Sequence, residues 1–268
     1  MALVPVSEDA KKKTYYKYYK MGIPDLSEEQ KTCVNHARRN GEKALLLKDI
    51  NKALVPDMFC PDEIGYYYLQ EGGVLIANNI PMPGITPEML YWWFAWHPLE
   101  PLRYSIWDPE EHYSVEIDEE GRRRSLDPQI RLEEKTWGAE HLVVESLAPE
   151  DKPVPIKISF RDPKEMGIDA SRIGSEGCAF IVAANALNDG KIPSVMLETA
   201  KKMKGIMHYQ VYFWIGYQII DGQPVKCIPD GMEIPEIFPR LLLYHSTKEF
   251  SHLARILPQV YGEEKNNW

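Results

Sequence analysis

Hydrophobic spacing divides the chain into a polar start, a strand-rich middle and one long C-terminal helix. Residues 1–55 carry no sustained period and read as irregular or helical. Within them DLSEEQKTCVNHARRN (25–40) predicts a helix, with Ser27 as N-cap and Gln30 closing a capping box. His36 in that segment reads as a surface residue. From residue 62 the pattern changes. EIGYYYLQEGGVLIANNIPM predicts strand segments broken at Gly72 and Gly73. GITPEMLYWWFAWHPLEP predicts a short helix to about Trp96, with Thr86 as N-cap, Pro87 at the first helical position and Pro98 stopping it. Between 103 and 230 come short strand candidates: RYSIW, HYSVEID, LVVESL, VPIKISF, CAFIVAANAL, IMHYQVYFWIGYQII and QPVKCI. The last predicted element is a helix over about 234–257, ending before Pro258. Strands followed by one long helix predict an α+β fold with an antiparallel sheet. The change of character near residue 60 divides the chain into an N-terminal arm, 1–60, and a body, 61–268, with neither an internal repeat nor a low-complexity linker.

Composition narrows the functional classes. The chain has 268 residues, 44% of them hydrophobic and 11% aromatic, which is ample for a packed core. A formal charge of −9 and a pI near 5.4 argue against binding a polyanion. TYYKYYK (14–20) mixes aromatic and basic residues as a nucleic-acid contact does, but reads better as a tyrosine-rich arm packed on the body with its lysines solvated. Cys33, Cys60, Cys178 and Cys227 are scattered without metal-ligand spacing, as expected of reduced thiols in the cytoplasm. MALVPVSEDAKKKTYY lacks the apolar core of a secretory signal, and no run reaches the ~18 apolar residues of a membrane span. The expectation is an acidic cytoplasmic protein that binds neither nucleic acid nor membrane.

One polar pair disturbs the final helix. Leu241, His245, Glu249 and Leu253 recur at helical spacing, so His245 and Glu249 share an apolar face one turn apart. A lone buried carboxylate is costly. An i,i+4 His/Glu pair can offer a nitrogen and an oxygen to one ion, or form a hydrogen-bonded pair at the core edge. Spacing alone favours the second. One helix also cannot surround an ion, so other segments must complete any such site; neighbouring His252 reads as structural or surface. His112, after IWDPEE, and Glu145, projecting from one face of HLVVESL, are candidates that spacing does not select over other acids and histidines.

WWFAWHPLEPLRYSIWDPEEHY (92–113), HSTKEFSHLARILPQVYGEE (245–264) and MHYQVYFWIGY (207–217) carry a resemblance. They resemble the zinc-dependent C-acyl phenol hydrolase family, which acts on phloretin-type and acylphloroglucinol-type compounds. The resemblance implies a helix-grip fold, in which a curved antiparallel sheet wraps the C-terminal helix around a ligand cavity. It implies zinc held by His112, Glu145, His245 and Glu249, with His97 the rival for the first position and Glu133, Glu134 or Glu140 for the second. Tyr104, eight residues before His112, matches the family and would hold a phenol or an oxyanion, while His208 would act as acid/base. Trp93 and Tyr212 would wall the substrate cavity. The implied reaction is hydrolysis of an aryl–acyl carbon–carbon bond, and the resemblance leans towards a homodimer, for which the arm, 1–60, is a candidate contact. The alternatives are a helix-grip protein that binds aromatic ligands without catalysis, and a metal-dependent hydrolase of another β-diketone-like substrate.

Overall fold

The computed structural model describes residues 2–56, 64–148 and 152–268. Cys60 and the arm–body boundary lie outside them. Helix α1 spans Tyr16–Lys20 and α2 spans Glu28–Asn35. At the start of α2, the Ser27 hydroxyl accepts from the Gln30 N–H and the Gln30 side chain accepts from the Ser27 N–H, a complete capping box. Strands β1 (Arg38–Arg39), β2 (Gly65–Tyr68) and β3 (Val74–Met82) follow. The β2–β3 turn uses Gly72 and Gly73 at φ +94° and +82°, backbone that side chains with a Cβ resist. Helix α3 (Pro87–Trp96) starts as expected, the Thr86 hydroxyl accepting from the Met89 N–H.

RYSIW does not form a strand. It lies in and just after α4 (Pro101–Ser105), where Pro101 presets the first turn and the Ile106 N–H donates to the Leu102 carbonyl. So short an apolar run fits either period, and tertiary packing of Leu102 and Ile106 decides. Next come β4 (His112–Ile117), α5 (Glu119–Leu126), β5 (Glu140–Glu145), β6 (Val154–Phe160) and β7 (Phe180–Asn188). Strand β8 (Ile192–Met203) was not expected, because Glu198, Lys201 and Lys202 interrupt its apolar pattern. Then come β9 (Ile206–Ile215), β10 (Tyr217–Ile220), β11 (Gln223–Lys226) and the long α6 (Ile237–Glu264). Helix α6 passes through Pro258 instead of stopping there. Pro258 cannot donate to the Ala254 carbonyl, but buried Ile256, Leu257 and Val260 hold the helix on both sides of that gap.

Among the described residues nine strands form one sheet in the order β1-β2-β3-β9-β8-β7-β6-β5-β4, antiparallel except for the β1–β2 pair. Strands β10 and β11 form a separate ribbon. Alternation gives the sheet two apolar faces. Tyr209 and Val211 pack with Phe250 and Leu253 of α6, whereas Tyr212 and Trp214 pack on the opposite face against Leu47, Ile50 and Leu54.

Helix α6 is tied to β3, where Asn78 Nδ2 donates to Ser246 Oγ (3.0 Å) and Thr247 Oγ1 (2.9 Å). It also meets His112 of β4 and Glu145 of β5. A flat sheet would place β3 and β5 about 24 Å apart, five strand spacings, and a helix is only about 10 Å wide. The sheet therefore curves around α6, and the hollow of that curve is the cavity described below. Tyr15, Tyr18 and Tyr19 of the N-terminal segment are buried, Tyr15 lying 5.3 Å edge-on to Trp96, while Lys11, Lys12, Lys13 and Lys17 stay exposed. No helix among the described residues is long and apolar enough to cross a membrane.

Candidate metal centre and its cavity

His245 and Glu249 lie one turn apart on the buried side of α6. His245 Nε2 stands 3.9 Å from Glu249 Oε1, too far for a hydrogen bond, so the pair does not satisfy itself. Both groups face the sheet. His112 Nε2 is 3.4 Å from His245 Nε2 and 3.4 Å from Glu249 Oε2. Glu145 Oε2 approaches His245 Nε2 to 3.8 Å. Donor atoms of His112, His245 and Glu249 thus converge from β4 and α6 within 4.8 Å of one another, and Glu145 of β5 approaches them on the His245 side. His112 and Glu145 are register partners at the ends of their strands, and a bulge between His112 and Ser114 sets the local direction of β4.

The donor set fits a divalent cation. Ligands bound tetrahedrally at 2.0–2.1 Å lie about 3.3 Å apart; His112 and His245 stand 3.4 Å apart, Glu249 reaches them with its two oxygens at 3.4 and 3.9 Å, and Glu145 comes within 3.8 Å of His245. Two imidazole nitrogens and two carboxylates suit zinc better than the hard cations that prefer all-oxygen shells. Charge points the same way. Burial pushes the carboxyls of Glu145 and Glu249 above their usual range, Glu249 strongly. Burial, with charge on His245, holds His112 well below the ordinary imidazole value. Burial also opposes charge on His245, but Glu249, Glu111 and Glu145 push it up to about 10. The protein groups alone thus balance the cluster by protonation, a task a divalent cation takes over when the ligands deprotonate.

The WDPEE segment ahead of His112 supports the cluster from behind. His245 Nδ1 is 2.7 Å from Glu111 Oε2, an arrangement that aims Nε2 at the other donors. Lys248 Nζ lies 3.1 Å from Glu111 Oε1, 2.9 Å from Glu110 Oε2 and 3.4 Å from Asp108 Oδ2, all four side chains being buried. Burial works against the Lys248 charge, but Asp108, Glu111 and Glu110 outweigh it and raise its pKa. The Tyr104 hydroxyl donates to Glu145 Oε1, and its ring stacks on His112 at 4.2 Å. Trp107 Nε1 donates to the Glu249 carbonyl at 3.2 Å. Glu145, His245 and Glu249 line a cavity whose walls include Phe94, Trp107, Phe160, Phe213 and Phe250, with His97, His141 and Glu198 among its polar groups.

Residues 45–262 match the family model of the DAPG hydrolase PhiG domain. The chain belongs to this family. It is 36% identical over 267 residues to phloretin hydrolase of Eubacterium ramulus, covering 99% of this chain and 95% of that protein. It is 27% identical over 265 residues to 2,4-diacetylphloroglucinol hydrolase of a Pseudomonas sp., covering 94% of this chain and 88% of the other. Among solved structures, Ara h 8.0201 is similar at a TM-score of 0.41 with 8% identity, over 69% of this chain and 97% of that one.

In this PhiG-domain chain the structure brings His112, Glu145, His245 and Glu249 together and places Tyr104 on Glu145. Three other expectations need correcting. His208 does not face the cavity. Tyr209, Val211 and Phe213 of β9 point inward, so the period of two turns His208 and Tyr212 outward. His208 is partly exposed, with Nδ1 3.3 Å from Asn79 Oδ1, and Tyr212 packs in the outer cluster. Trp93 is wholly buried and stacks on His97 at 5.4 Å; Phe94 and Trp107 line the cavity instead. Among the rivals, His97 Nδ1 meets the Trp93 carbonyl at 2.8 Å, and Glu140 faces outward with Oε2 2.9 Å from Lys157. Glu133 and Glu134 sit in a short turn before β5. Sequence reasoning missed Glu111, Lys248, His141 and Glu198. The inward parity of Val143 and Glu145 already pointed to His141, whereas Glu198 was hidden in the unrecognised β8.

Proposed function

We propose that this chain is a zinc-dependent hydrolase of an acylated polyphenol, of the phloretin or acylphloroglucinol type. It would cleave the aryl–acyl carbon–carbon bond and release a carboxylic acid and a phloroglucinol-type phenol. The broader class is plain from the family: the protein is a hydrolase acting on carbon–carbon bonds in ketonic substances. The observation that carries the finer reading is that Glu145, His245 and Glu249 line an aromatic-walled cavity with His112 beside His245 and Glu249. That position lets a flat phenol lie among Phe94, Trp107, Phe213 and Phe250 with its acyl group at the donor cluster. The curved sheet around α6 supports a helix-grip description.

Zinc held by His112, His245, Glu249 and Glu145 would supply Lewis acidity to the reaction. The chain's own residues do the rest. Glu111 keeps the His245 ring in one tautomer and orientation. Tyr104 holds Glu145 and, beside the cavity, presents a phenolic hydroxyl to an incoming ring hydroxyl. The aromatic walls exclude bulk water and strengthen each of these polar contacts. A phloroglucinol-type ring suits this chemistry because it tautomerises to a β-diketone-like form, from which the carbon leaving group departs as an enolate.

Elemental analysis combined with acid release from a panel of acylated phloroglucinols and dihydrochalcones tests the reading. About one zinc per chain and release from at least one compound are expected. Protein from metal-replete expression that carries no zinc, or that releases acid from none of the panel, would overturn it.

A further inference from the structure

The reaction needs a proton on the ring carbon that bears the acyl group, and His208 faces away from the cavity. The cavity wall offers few other donors. Tyr104 is engaged by Glu145. His97 presents Nδ1 to the Trp93 carbonyl, and burial lowers its pKa to about 3. Burial holds His141 well below the ordinary imidazole value too, so both rings are neutral and hold no labile extra proton. Glu198 remains. It lies on the inward face of β8, is only 2% exposed and lines the cavity with Glu145, His245 and Glu249. It is not one of the converging donors. Its Oε2 accepts from the Tyr209 hydroxyl of neighbouring β9, its one hydrogen-bond partner among the described residues. The Tyr209 ring is itself clamped by Phe250 at 4.7 Å and Phe180 at 5.7 Å. One carboxyl oxygen is thereby anchored and the other has no hydrogen-bond partner among the described residues.

We propose that Glu198, positioned by Tyr209, is the general acid that delivers a proton to the acyl-bearing ring carbon. The inference rests on the hydrolase reading above. Burial pushes the Glu198 carboxyl up to about 8 even though the Tyr209 hydrogen bond favours its charged form, so it carries a proton at neutrality. The step balances. Glu198 gives its proton to the ring carbon as a ring hydroxyl loses its own, leaving a ring ketone, and that lost proton restores Glu198. Water then adds to the acyl carbonyl and the carbon–carbon bond breaks. Its electron pair returns to the ring as an enolate, which takes the remaining proton of the water. The products are the deacylated phenol and the carboxylic acid.

Glu198→Gln keeps the shape and the bond to Tyr209 but cannot give the proton. It should retain zinc and KM while kcat falls about 10²–10⁴-fold. It should also lose enzyme-promoted exchange of the ring hydrogens of phloroglucinol in D2O, a partial reaction needing neither water attack nor bond cleavage. Turnover and exchange within about threefold of the parent would overturn the assignment. A parent protein that releases no acid from any acyl phenol would instead overturn the hydrolase reading. If the Gln variant does not fold, Glu198→Asp and Glu198→Asn decide: the acid should exceed the amide at least about tenfold, and equal rates refute the role.

Discussion

Glu249 is where a sequence anomaly became a chemical statement. A carboxylate on the apolar side of a helix is unfavourable alone, and the structure surrounds it with His112, His245 and Glu145 rather than with a single hydrogen-bond partner. Glu249→Ala is therefore expected to abolish metal binding and acid release while circular dichroism stays native; retention of the metal would remove Glu249 from the ligand set. Glu111 acts one shell away. Because it orients His245 through Nδ1, Glu111→Gln should weaken metal affinity about 10–100-fold, measured by competition with a chromophoric chelator. Unchanged affinity would show that the packing of α6 alone aims the ring. His208→Ala, by contrast, should leave turnover intact, since the side chain sits on the far face of the sheet.

At the scale of elements, short-range signals were reliable where backbone chemistry is local. The capping box of α2, the Thr86–Pro87 start of α3 and the glycine turn before β3 all stand where the residues predicted them, since each rests on bonds within a few positions. RYSIW, β8 and the end of α6 stand otherwise, because packing settled each against its local pattern. Two experiments probe that tertiary override. Pro258→Ala should stabilise α6 by roughly 1–3 kcal/mol, seen as a higher urea midpoint, because it restores the donor to the Ala254 carbonyl. A lower midpoint would mean that the proline ring itself packs usefully. Asn78→Ala removes the buried link from β3 to Ser246 and Thr247, and should cost about 1–3 kcal/mol in the same assay.

The whole molecule carries a pH dependence that follows from its buried imidazoles. Burial lowers His97 to about 3 and His252 to about 4, and holds His141 well below its ordinary value. Each is neutral when folded, yet binds a proton near pH 6.5 when unfolded. The unfolded state thus takes up more protons as pH falls. The stabilisation is complete above about pH 6.5 and is lost from there down towards the folded values, by roughly 1.4 kcal/mol per pH unit for each histidine. Because the raised carboxyls of Glu198, Glu249 and Glu145 oppose this trend, the histidine contribution is read by difference: the urea midpoint of His252→Gln relative to the parent should rise as pH falls from 7 to 5, and a difference independent of pH would contradict it.

By itself the sequence determined the α+β class, the starts of α2 and α3, and that His245 and Glu249 share one face of the last helix. These depend on spacing along one element and on bonds between near neighbours. Family likeness added His112, Glu145 and Tyr104, which spacing could not select. Only tertiary structure decided that His208 and Tyr212 face outward, that WDPEE backs His245, and that Glu198 enters the cavity. The physical reason is that a strand of known sequence still has two faces. Which face is inward depends on how the sheet curves around α6, a property shared by strands far apart in the chain.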